Sequence, residues 1–166
     1  MFATRIKHGI TGGLVGGVIF GIMMAVMGSL PMIGGMIGHS NAIAGFLVHL
    51  TISAGIGAGF GVVLGPLASS RRRSVAAGLF YGAIWWILGP LTLMPLMMGM
   101  GLGVNWTAAA ATAMLPSLMG HVIFGLVLGF VYDRAENCYV TSVFKRRRTG
   151  GARQDDTDQR PTPRAV

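Results

Sequence analysis

Ser117-Leu118-Met119-Gly120-His121-Val122-Ile123-Phe124-Gly125-Leu126-Val127-Leu128-Gly129-Phe130-Val131-Tyr132-Asp133 is the stretch that decides the fold. Ser117, His121, Gly125, Gly129 and Asp133 recur at intervals of four within a run that is otherwise apolar. On a helix these positions form one narrow stripe. An earlier stripe, Gly45, His49, Ser53, Gly57 and Gly61, has the same spacing. Two stripes of small residues, each carrying one histidine, predict two helices that pack closely.

The surroundings exclude a water-soluble fold. From His8 to Ser70, and again from Ser74 to Tyr132, there is no Asp, Glu, Lys or Arg. Only 11% of the chain is charged, against roughly 25% in an ordinary soluble domain. Each uncharged block holds two spans of about 20 residues. The expected fold is an all-α membrane protein with four transmembrane helices, at about 9–30, 43–65, 75–97 and 113–133. Residues 1–134 are the expected membrane domain, and 135–166 a basic juxtamembrane segment with a disordered cytoplasmic tail. The apolar run after Arg5 and Lys7 continues to Leu30. It is longer than the h-region of a signal peptide, about 7 to 15 residues, and reads as the first span.

Arg5, Lys7, Arg71, Arg72, Arg73, Arg134 and the run Lys145–Arg148 all flank one face of a four-span arrangement. The positive-inside rule then puts both termini in the cytoplasm, in the cell (cytoplasmic) membrane. Lys145–Arg148 suit anionic lipid headgroups. The net charge of +8 is explained by these flanks, and no aromatic residues alternate with them as a nucleic-acid platform requires.

Gly13, Gly17, Gly21, Gly57, Gly61, Gly78, Gly82, Gly125 and Gly129 are the expected packing positions, because glycine lets membrane helices approach closely. Faces left over make a homo-oligomer an expectation. Gly13 and Gly17 match Gly78 and Gly82, and His49 matches His121, which suggests two parallel two-helix repeats. The segment from Pro31 to Asn41 reads as a helix break, Gly89-Pro90 as a kink, and the arginine triplet as a loop. The alanines after Asn105 read as a short surface helix or as the upper part of the fourth span.

His49 and His121 are the sharpest candidates for chemistry. A polar side chain within a span faces the bundle interior and needs a partner. An interhelical hydrogen bond, to Ser53, Ser117 or a backbone carbonyl, is the simplest role. Ligation of haem b or Cu(I) by two facing imidazoles is the second. A proton path is disfavoured by the lack of carboxylates in the spans. Met97, Met98 and Met100, with Met32, Met36 and Met94, offer soft sulfur, though methionine also fills gaps between helices. Trp85 and Trp86 lie within the third span and could cover a flat ligand or fill space opposite glycine. One cysteine, Cys138, excludes a disulfide within the chain. No nucleophile elbow, phosphate loop or carboxylate pair is present.

The segments Tyr81-Gly82-Ala83-Ile84-Trp85-Trp86-Ile87-Leu88-Gly89-Pro90, Met94-Pro95-Leu96, Ser117 to His121 and Gly129 to Tyr132 resemble a group of small four-span prokaryotic membrane proteins, catalogued as a domain of unknown function. The resemblance covers residues 9–133 and implies a bacterial or archaeal cytoplasmic membrane. It carries no activity and no catalytic residue with it. The expected function is a non-enzymatic accessory or scaffold bundle, with a haem or copper binder and a small-solute or metal transporter as alternatives.

Overall fold

In the computed structural model, residues 2–158 are described, and their side chains as far as Ser142. Helix α1 spans Phe2–Val26 and ends where Gly28 turns the backbone to φ +69°, a left-handed value that glycine adopts without a Cβ penalty. The first span therefore stops four residues short of the expected Leu30. Instead of an unstructured break, Leu30–Gly35 form a short helix α2 with Pro31 in its first turn, where a missing N–H costs nothing. Helix α3 spans Ala42–Val63, and its N-terminus is capped by the Asn41 side chain, which accepts from Ala44 N–H at 2.9 Å.

Helix α4 spans Arg71–Leu88, with Ser70 as its N-cap. The arginine triplet thus forms the first turn of a helix and not a loop. The basic turn sits at a helix N-terminus, where the peptide dipoles oppose it, and Arg71 Nε is paired with Asp133 Oδ2 at 3.5 Å. The expected kink at Gly89-Pro90 is a π-helical turn, Gly89–Leu93, running into α5, Met94–Met97. Proline cannot donate to the helical ladder. Nearby, the Thr92 hydroxyl donates to the Ile87 carbonyl at 2.8 Å. The alanines form a separate helix α6, Ala108–Ala113, capped by Thr107, and α7 spans Leu115–Asp158.

Four stretches, Phe2–Val26, Ala42–Val63, Arg71–Met97 and Leu115–Ser142, are long and apolar enough to cross a membrane. The chain is a multi-pass membrane protein. Large apolar side chains such as Ile22, Leu47, Phe80 and Met119 are exposed on these helices, as side chains facing lipid tails are.

Glycines set the packing. A Cβ added to Gly9 would strike the Gly57 carbonyl oxygen, one on Gly57 that of Gly9, and one on Gly13 that of Ser53. The same interlock joins α4 to α7: Gly78 and Gly125 face each other's carbonyls, Gly82 faces that of His121, and Gly129 that of Ser74. Helix α1 has a second glycine face, on which a Cβ at Gly12 would come within 2.8 Å of the Leu128 carbonyl oxygen and one at Gly16 within 2.9 Å of that of Phe124. So α1 packs on α3 with one face and on α7 with the other. The Tyr81 hydroxyl closes the ring by donating from α4 to the Ile56 carbonyl of α3 at 3.1 Å. Between the helices lie Phe60, Leu128 and Tyr132, all fully buried, with the Phe60 and Tyr132 rings edge-on at 5.3 Å.

The bundle ends at Asp133, and Arg134 begins a second unit. In that unit α7 is helical as far as Asp158, including the segment after Thr149 where disorder is expected, and Cys138 is exposed. The side chains of Lys145–Arg148 and the last residues of the tail lie outside the described ones.

Candidate functional site: a methionine-lined chamber

Toward the end of the bundle that carries α2 and α5, the four spans line a half-open chamber of about 620 Å³. Its wall is almost wholly apolar, and seven methionines contribute: Met24, Met27, Met32, Met36, Met94, Met97 and Met114. Its polar side chains are His49, His121, Ser29, Ser53 and Ser117, together with the Trp85 indole. No Asp, Glu, Lys or Arg reaches the wall.

Both histidines are held by backbone. His49 on α3 is 8% exposed, and its Nε2 lies 3.0 Å from the Gly17 carbonyl oxygen on α1. Gly21 leaves room for the ring, since a Cβ there would lie 3.3 Å from His49 Cδ2, whereas one on Gly17 would strike the Ser53 side chain. His121 on α7 sets Nδ1 2.8 Å from the carbonyl oxygen of Ser117, one turn earlier, and 3.5 Å from the Ser117 hydroxyl. A carbonyl oxygen only accepts, so the facing nitrogen carries the hydrogen in each ring. In the neutral imidazole the other nitrogen, Nδ1 of His49 and Nε2 of His121, is then a lone pair. A Cβ on Gly89, in the π turn, would be 3.7 Å from His121 Nε2.

The two imidazoles share one aromatic neighbour. Phe20 of α1 packs edge-on against both, with ring centroids 5.2 Å from His49 and 4.8 Å from His121. Phe20 joins the site although in the sequence it is one apolar residue among many. Its signal was there: Gly12, Gly16, Phe20 and Met24 continue the second glycine face of α1 at intervals of four. The phenyl ring fits where Gly120 of α7 leaves room, since a Cβ there would strike the ring.

Of the other candidates, Ser53, Ser117, Trp85 and Met97 line the chamber, whereas Trp86, Met98 and Met100 do not. Trp86 donates its indole N–H to the Met114 carbonyl at 3.2 Å and ties α4 to the approach to α7. Met97, Met98 and Met100 are all exposed, at 64%, 51% and 56%. Trp85 lies edge-on to Tyr81, centroids 6.1 Å apart. Among the described residues, no three of His, Cys, Asp and Glu come together as a metal site. Comparison of the chain with protein-family models, curated proteins and solved structures finds no match.

Proposed function

We propose that this chain is a non-enzymatic membrane protein that holds one small ligand in the chamber between its helix pairs. One observation carries the reading: each imidazole spends its N–H on a backbone carbonyl and is left with a lone pair, in a wall with no charged side chain. A ligand suited to such a wall is either a mostly apolar molecule that brings a hydrogen-bond donor or a soft Lewis acid of low charge. A chamber of about 620 Å³ is within the usual size range of small-molecule sites, about 300–1,000 Å³. Catalysis is disfavoured because no activated nucleophile or carboxylate pair faces this space.

Native mass spectrometry of the chain released from lipid nanodiscs tests this. The expected result is a single bound adduct per chain, lost in Val48→Trp, whose indole would occupy the chamber. Bare protein in both cases would overturn the reading.

The two helix pairs also support an internal repeat with both termini on the cytoplasmic side, in keeping with the basic flanks. The contacts of Arg5 with Gly61, Gly9 with Gly57 and Gly13 with Ser53 have counterparts in Ser74 with Gly129, Gly78 with Gly125 and Gly82 with His121. This register differs by one turn from the alignment that matches histidine to histidine. Ser53 falls on His121 and His49 on Ser117, so the two halves carry the same pair of residue types in opposite order.

A further inference from the structure

The methionines are the part of the chamber that ligand binding in general does not explain. A gap-filling thioether lies in the space between helices and abolishes it. Here Met32 and Met36 of the α2 region, Met94 and Met97 of α5, and Met114 before α7 surround open volume instead. Methionine makes up 12 of the 166 residues of the chain, yet seven residues of the chamber wall. The sulfurs share that wall with His121, whose Nε2 is its unprotonated nitrogen.

On the reading that the chamber binds a ligand, the geometry points to a soft monovalent d10 metal ion of the Cu(I) class, held by His121 Nε2 and methionine thioethers of α5 and α2. Four considerations select this ion class. Thioether and neutral imidazole are soft donors that favour Cu(I), whereas Ca²⁺ and Mg²⁺ need oxygen ligands. The wall has no carboxylate, and no Cys joins the histidines, so the usual ligand sets for zinc are missing among the described residues. A single positive charge is the smallest that a neutral ligand set must stabilise away from water. Finally, a metal-bound histidine characteristically gives its other N–H to a carbonyl, which fixes the tautomer, as His121 does to Ser117. Haem is not suited, because Phe20 packs against both rings and the two histidines present different nitrogens.

The test uses the full chain in detergent, with Ag(I) as a redox-inert probe and Cu(I) kept reduced by ascorbate and competed with bathocuproine disulfonate. The expected result is one ion per chain, with nitrogen and sulfur both in the X-ray absorption spectrum of the Cu(I) form. His121→Gln should weaken retention at least 10-fold. Met94→Leu combined with Met97→Leu, which keeps the apolar volume, should weaken it similarly and leave the thermal unfolding temperature unchanged. Retention equal to wild type in both variants, or a spectrum with oxygen donors alone, would overturn the assignment. If no ion is retained while native mass spectrometry still shows an organic adduct that Val48→Trp removes, the metal assignment falls and the binding role stands. If neither ion nor adduct is found, both fall.

Discussion

Gly78 and Gly125 each hold a carbonyl oxygen in the place where the other would carry a side chain. Their α-hydrogens point at those oxygens, a C–H···O contact of about 0.5–1 kcal/mol each. Gly125→Ala should therefore destabilise the fold by about 2 kcal/mol through overpacking against backbone that cannot swing aside. Gly55→Ala, where a Cβ meets nothing within 4 Å, should leave stability unchanged. Unfolding in mixed micelles by SDS titration reads both.

His49 joins α3 to α1 through the Gly17 carbonyl. Hydrogen bonds between membrane helices contribute about 0.6 kcal/mol on average. His49→Leu should cost no more than about 2 kcal/mol by that measure. A total loss of folded protein would show that the histidine does more than link two helices.

Phe20 touches both histidines and fills the space over Gly120. Phe20→Ala should enlarge the chamber and cost about 3 kcal/mol. Phe20→Leu should cost less and preserve any bound adduct. Denaturation and native mass spectrometry on the same preparations separate the two effects.

Asp133 is 5% exposed and is paired with Arg71, which also lies over the Phe130 ring at 5.4 Å to the centroid. Removing one partner of a buried charge strands the other. Arg71→Gln should lower the unfolding midpoint more than Arg72→Gln does. The size is held to about 1 kcal/mol because the Arg71 side chain is 57% exposed and water screens it. Equal effects at the two positions would assign the ion pair no role.

Four spans put residue 69 on the same side as the N-terminus and residue 38 on the other. In a Cys138→Ser background, a membrane-impermeant maleimide applied to intact cells should label Ser40→Cys, in the same loop as residue 38, and spare Ser69→Cys. The reverse pattern would put the arginine triplet outside and sink the inside placement of the termini.

The spans were legible because charge is absent over whole segments, a signal that no packing detail can mask. Their ends were less so. The stop at Gly28 depends on a left-handed backbone turn that glycine permits but does not require, and the helical start at Arg71 depends on the Ser70 cap. The glycine stripes announced which helix faces pack, but the two histidine-bearing stripes expected to meet each other do not: that of α3 seats on α1 and that of α7 on α4, because the glycines opposite them there admit backbone to backbone, while Gly12 and Gly16 meet α7. At the site, His49, His121, Ser53 and Ser117 were found by being polar where lipid is expected. Phe20 was not, because an aromatic ring within an apolar span carries no such contrast. Trp86 carries the same signal as Trp85, but its indole N–H donates to the Met114 carbonyl just before α7, and of the two only Trp85 lines the chamber.

The interlocking of Gly9, Gly13 and Gly57 is complete within the first 67 residues, which end in the turn after α3. A ribosome that has released that much chain into the bilayer has delivered a hairpin able to close before the third span emerges. The later hairpin closes likewise through Gly78 and Gly125, and Gly12 and Gly16 then serve as the seat on which a finished half docks. Each hairpin thus carries its own closing contacts, a separate set joins the two, and the chamber is walled by residues of both.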